Sequence, residues 1–154
     1  MRLFSLVFVA FLGSTFAGPA LADYTPQEIE EGLAYCEKHP PGPQVEVNGC
    51  AGFRAAKAEL RLTRVYTALR SLLKSAGEPG DASHLLKVQR AWIAFREASC
   101  ESNDRGTMVA LIYSGCMETM ADERAASLEA WLRNECERSC ASESDVEECK
   151  PCST

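Results

Sequence analysis

The chain has 154 residues, eight cysteines, two histidines and a formal net charge of −6. That length suits one domain with a modest core. The acidic balance argues against a nucleic-acid binder, whose affinity comes from neutralising phosphates with Lys and Arg, and fits either a cationic partner or solubility alone.

The amino terminus reads as a secretory signal peptide over residues 1–22. Met1-Arg2 starts positive, Leu3 to Phe11 is an almost unbroken apolar run, and Ala20-Leu21-Ala22 is a small-x-small cleavage site. The run is too short, and too interrupted by Gly13, Gly18 and Pro19, to span a bilayer comfortably. No cysteine follows the cleavage site, so a lipid anchor is not expected, and no later stretch is apolar enough to cross a membrane. Removal of this segment and its Arg2 leaves 132 residues from Asp23 with a charge of −7 and all eight cysteines. An even cysteine count in an exported chain predicts disulfides and a periplasmic or secreted location.

Thr25-Pro26-Gln27-Glu28 has the form of a capping box with proline at the first helical position, and predicts a helix to about Lys38. His39-Pro40-Pro41-Gly42-Pro43 stops it, because proline lacks a donor and restrains the residue before it. The expected loop, His39 to Gly49, lies between Cys36 and Cys50. Leu62, Tyr66, Leu69 and Leu73 mark a second helix over Gly52 to Ser75. Gly77-Glu78-Pro79-Gly80 breaks it, and Asp81 or Ser83 caps a third helix from Leu85 to about Glu101. Ser102 to Gly106 is a turn cluster, followed by a long helix from about Thr107 to Asn134. No stretch alternates long enough for a strand. The expected architecture is all-α: a small disulfide-bonded bundle of about four helices with a helical hairpin core over 23–134, then a cysteine-rich tail over 135–154.

Several polar residues fall where burial is expected. On a helical wheel Gln89, Arg96 and Cys100 lie in the centre of the arc formed by Leu85, Leu86, Val88, Trp92, Ile93 and Phe95. Arg124 falls among Tyr113, Met117, Met120, Leu128 and Trp131, and Glu59 shares the face of Leu62, Tyr66, Leu69 and Leu73. A buried charge left alone costs several kcal/mol, so Glu59 is expected to pair with Arg96 or Arg124 as a structural tie. The competing reading is that these groups line a ligand pocket.

Cys100 ends one helix and Cys116 lies about two turns into the next, within bridging reach of an antiparallel neighbour. Cys36 and Cys50 can close the proline-rich loop. A bridge closing about 15 residues is worth ~3 kcal/mol in the chain-entropy model. For the tail, Cys136 with Cys152 and Cys140 with Cys149 form a nested arrangement. Zinc binding by these four is disfavoured by export to an oxidising compartment. Cys149-Lys150-Pro151-Cys152 has thioredoxin-like spacing but no helix after it to lower a thiol pKa.

The stretch from Gln89 to Cys100, QRAWIAFREASC, resembles the Q-R-x-W-x-x-[FY]-R-[DE]-x-x-C signature of the LprI-type, lysozyme-inhibitor-like family of bacterial envelope proteins. Glu59, Leu62 and Tyr66 upstream, and Gly106-Thr107, Cys116, Met120, Arg124 and Leu128 downstream, fit the rest of the pattern, as do Cys36 and Cys50. The likeness covers roughly Cys36 to Leu132. Thr63 departs from the family's usual asparagine, and the tail from Cys136 has no counterpart. The resemblance implies an all-helical envelope domain with two shared disulfides and a lysozyme-inhibitor-like activity; it designates no inhibitory residue.

The functional expectation is therefore an exported binding protein that inhibits a lysozyme-type glycosidase, with a protein partner such as a cationic lysozyme. The alternative is a structural or interaction protein of the envelope with an endogenous partner. The candidate contact residues are His39, Pro40, Pro41, Gly42 and Pro43, whose prolines and flanking disulfide reduce the ordering cost of binding. No enzymatic activity, metal or cofactor is expected, since no nucleophile elbow, metal-binding His pair, phosphate loop or haem-attachment motif is present.

Overall fold

The computed structural model describes residues 24–39, 42–75, 80–101 and 106–142, with side chains to Ser139. Within them the chain forms four helices: α1 (Pro26–Lys38), α2 (Gln44–Ser75), α3 (Asp81–Cys100) and α4 (Val109–Ser142). No helix among the described residues is long and apolar enough to cross a membrane. The bundle is all-α, as its periodicity and its family likeness both imply.

Helix α1 starts as its sequence dictates. The Thr25 hydroxyl accepts from the Glu28 amide, and the Glu28 carboxylate accepts from the Thr25 amide at 2.7 Å, which satisfies two otherwise orphaned donors. That contact also holds the Glu28 carboxyl below its usual pKa.

Helices α1 and α2 end at Lys38 and Ser75 as expected, but other boundaries differ from the sequence reading. Helix α2 begins at Gln44 rather than Gly52, so most of the expected His39–Gly49 loop is helix. The Pro43 carbonyl receives the Glu46 amide at 2.9 Å and starts the helix, with Glu46 in the favourable first turn. Gly49 and Gly52 each weaken a helix by about 1 kcal/mol relative to alanine. Tertiary ties offset that weakness: the Cys36–Cys50 bond, and the Asn48 amide donating to the Thr107 carbonyl at 2.8 Å. Helix α3 starts at Asp81, four residues before Leu85. Neither Asp81 nor Ser83 caps it; the cap is Gly80, at a left-handed φ of 118°. Glycine is required there because a Cβ strains that conformation. Helix α4 starts at Val109 and continues past Asn134 to Ser142, so the first residues of the cysteine-rich segment prolong it.

Helices α2 and α4 are the centre of the molecule and run parallel. The cross-contacts advance together along both: Arg54 meets Glu118, and Arg61, seven residues on, meets Asp122 and Glu129. Alanines line the seam, Ala55 and Ala58 on α2 and Ala121 and Ala125 on α4, so the backbones approach closely. Leu62, Leu69, Leu73, Leu85 and Leu128 complete a dry core around Ala58, Ala121 and Ala125. Full burial of such a side chain contributes about 1.5–3 kcal/mol. Helix α3 returns the chain between the parallel pair, antiparallel to both, and is bolted to α4 by Cys100–Cys116. Cys136 is also disulfide-bonded. The expected Cys136–Cys152 and Cys140–Cys149 pairs involve residues outside those described.

Helix α3 departs from the expected orientation in one respect. The centre of its arc is buried, namely Leu85, Gln89, Arg96 and Cys100, with Trp92 half-buried beside them. The apolar flanks are not: Phe95 is 62 % exposed, and Val88 and Ile93 also face outward. The helix meets its neighbours along a narrow stripe, and that stripe is largely polar.

Candidate functional site

Three regions carry polar or exposed side chains of interest. The first is the polar cluster where α3 meets α2 and α4. Arg96 pairs through Nη1 with Glu59 Oε1, and Arg124 Nε donates to Gln89 Oε1 at 3.1 Å. Of the two partners expected for Glu59 the structure selects Arg96, and the second arginine takes a neutral amide instead. Trp92 lies beneath both guanidinium groups, 4.8 Å from Arg96 Cζ and 5.9 Å from Arg124 Cζ, within cation–π range. The Arg96 side chain is only 8 % exposed. Burial lowers the pKa of Arg96 and of Arg124, yet a guanidinium stays protonated in proteins. This leaves two fixed cations for which one carboxylate, one amide and one indole face compensate. Arg96 Nε itself lacks a hydrogen-bond partner. The groove and the depression described below are lined by other residues than Glu59, Gln89, Trp92, Arg96 and Arg124.

The second region is the stapled end, where α1 turns into α2. His39 is exposed, stacks on Tyr35 with ring centroids 4.1 Å apart, and contacts the Tyr35 carbonyl through Nδ1 at 2.8 Å. Gly42 and Pro43 are exposed; Pro40 and Pro41 lie outside the described residues. Cys36–Cys50 closes the base of the turn. Beside it stand two exposed hydrophobics that the sequence reading did not single out: Tyr35 and Val45, the latter 74 % exposed. Glu37 and Glu46 are exposed on the same end. A shallow depression of about 150 Å³ joins Tyr35, His39, Gly42, Glu46 and Arg54. The signal for Tyr35 and Val45 lay in their distance from every apolar stripe, but it becomes visible only once Val45 is known to be helical.

The third region is a groove of about 1210 Å³ between α1, α2 and α4, also absent from the sequence reading. Arg54, Lys57, Arg61 and Arg64 descend one side of α2 into it, at helical spacing. Arg61 bridges Asp122 at 2.9 Å and Glu129 at 2.7 Å. Those bonds raise the Arg61 pKa and hold the Glu129 carboxyl below its usual range. Ile29, Leu33, Leu60 and Leu132 supply apolar lining, and Cys136 lies in the wall. No group of His, Cys, Asp and Glu among the described residues is placed to hold a metal ion.

Comparison with known proteins bears on these regions unequally. A family model described as Lysozyme inhibitor LprI matches residues 36–128. An uncharacterized protein of Rhizobium meliloti (strain 1021) is 34 % identical over 104 residues, 59 % of this chain and 75 % of that protein. No solved structure matches. The family match begins at Cys36 and ends at Leu128, so it includes the Cys36–Cys50 turn, the polar cluster and both described disulfides, but neither Tyr35 nor Cys136.

Proposed function

The chain belongs to the Lysozyme inhibitor LprI family, and from that premise we propose that it is an exported protein that binds and inhibits a lysozyme-type glycosidase. The observation that carries this reading is the family match over most of the helical domain. The site assigned to it is the stapled end: His39, Pro40, Pro41, Gly42 and Pro43, flanked by Tyr35 and Val45.

Physical chemistry favours that end. A glycosidase of this class cleaves with a pair of carboxylates in a cleft, so an inhibitor needs a narrow, preformed projection. The segment is rich in proline and closed by the Cys36–Cys50 disulfide, which lowers the entropy lost on docking. Tyr35 offers a rigid amphipathic ring of the kind that anchors interfaces, and Val45 adds apolar area beside it. Glu28, Glu30, Glu31 and Glu37 along exposed α1, with Glu46 beyond the turn, give this side an acidic field. Such a field steers a cationic enzyme toward it and makes association faster at low salt. The protein supplies no chemistry to the substrate; it occupies the cleft.

The test is residual lysozyme activity on a cell-wall suspension with the purified oxidised protein in excess. Inhibition is expected at micromolar protein, weakening with added salt. Tyr35→Ser together with Val45→Asp should abolish it while leaving the far-UV spectrum unchanged. No inhibition by the wild-type protein at that concentration would remove the proposal.

A further inference from the structure

We propose that the outward face of α3 is a self-association surface. A second copy of this chain docks its own α3 there, antiparallel, about a twofold axis at the level of Ile93 and Ala94. This docking is independent of lysozyme binding.

The inward stripe of α3 is Leu85, Gln89, Arg96 and Cys100. At ~100° per residue the opposite side carries Lys87, Ala91, Ala94, Ala98 and Glu101, all exposed. Their steps alternate between four and three residues, the spacing of a seam along which two helices pack. Large apolar side chains border that seam on one side: Phe95 is 62 % exposed and Val88 faces outward a helical turn and a half away. Arg90 and Glu97, also exposed, border it on the other.

Charge identifies the occupant. Lys87 and Arg90 lie in the first half of the face, Glu97 and Glu101 in the second. None of the four forms a salt bridge among the described residues. Both acids stand at the carboxyl end of α3, where the helix dipole favours cations instead. An antiparallel second α3 supplies those cations. It brings Lys87 to Glu101 and Arg90 to Glu97, twice over by symmetry. Lys87 and Glu101 are equidistant from Ala94, and Arg90 and Glu97 from the bond between Ile93 and Ala94. These two centres lie ~0.75 Å apart along the helix, so one twofold axis serves both pairs. A parallel arrangement would set like charges together. The antiparallel register also places each Phe95 near the small Ala91 of the other copy, and each Val88 near Ala98, so large side chains interdigitate with small ones.

Two helices meeting over ~20 Å bury less than the ~1,200 Å² of stable complexes, so the dimer is reversible and forms in concentrated protein. Cys100 packs with Ala55 and Met117, and Asn48 bonds to Thr107, which puts the carboxyl end of α3 at the stapled end of the molecule. Antiparallel docking therefore sends the two stapled ends to opposite extremes of the dimer and leaves both open.

Sedimentation equilibrium of the purified oxidised protein, from about 10 μM to about 1 mM, tests the surface. A concentration-dependent monomer–dimer equilibrium is expected. Phe95→Ser should weaken it about tenfold or more. Lys87→Glu with Arg90→Glu should leave only monomer, and so should Glu97→Lys with Glu101→Lys. Mixing these two charge-reversed variants should restore dimers that neither forms alone. All five positions are exposed, and an unchanged far-UV spectrum confirms that each variant folds. Monomer throughout the range in the wild type would overturn the proposal and leave the face to a different partner. Dimers indifferent to these substitutions would overturn it too, because they form through another face.

Discussion

The α2–α4 seam and the α3 interface hold their helices by different means. In the seam, alanines and leucines exclude water, and ion pairs sit only at the exposed rim, where each contributes about 0–1 kcal/mol. Across α3, the buried stripe contains Gln89 and Arg96, while Phe95, Val88 and Ile93 stay outside. Dispersion and hydrophobic burial hold the first and tolerate small shifts; hydrogen bonds with fixed geometry and one disulfide join the buried Leu85 in holding the second. Charge at an interface therefore specifies where a helix docks, and apolar contact determines how strongly the bundle holds together.

Truncation in the seam should give the largest effect. Leu69→Ala or Leu128→Ala, both fully buried, should cost about 2–5 kcal/mol in urea unfolding of the oxidised protein. A loss below 1 kcal/mol would mean that the seam is not the dominant core. At the α3 interface, Glu59→Gln should cost about 3 kcal/mol because it strands the buried Arg96. The double replacement Glu59→Leu with Arg96→Met should restore most of that stability, since apolar substitution of a buried pair is often neutral. If the double variant is as weak as the single one, the pair contributes more than mutual compensation. Replacing Cys100 and Cys116 together by serine should remove ~3 kcal/mol in the chain-entropy model, and hydrogen exchange should rise first in α3. Equal loosening of α2 would erase the contrast between the two regions.

Acid should act on the rim of the seam. The Glu129 carboxyl is held below its ordinary value of 4.5 mainly by its hydrogen bonds with Arg61. A depressed carboxyl pKa gives stability that is complete above the unfolded value and lost as pH falls through the folded one. Stability should therefore begin to fall below about pH 4.5, by at most about 1 kcal/mol from this group. Glu129→Gln should flatten that part of the profile. The smallest effect is expected outside the core: Phe95→Ser should stay within about 0.5 kcal/mol of wild type.

Much of this was legible in the amino-acid order. The Thr25 capping box, the stripe Leu62, Leu69, Leu73, the burial of Gln89 and Arg96, and the requirement for a Glu59 partner all follow from local chemistry and helical period. The beginning of α2 was not legible, because Gly49, Gly52 and the prolines before them signal a loop. Only contacts made elsewhere, by Cys36 and Thr107, offset that weakness. The candidate turn His39–Pro43 was singled out for its prolines, whereas the exposure of Tyr35 and Val45 was not legible because it depends on which helices lie nearby.

Sequence by itself determined the helical class and the polar residues that must be buried, because periodicity and the cost of an uncompensated charge are properties of short stretches. Tertiary structure alone decided that Glu59 takes Arg96 while Arg124 takes Gln89, that α2 and α4 run parallel, and that a groove opens beside α1. Those outcomes depend on the register between distant segments, which is set by the joint packing of the seam and its disulfides rather than by any one helix.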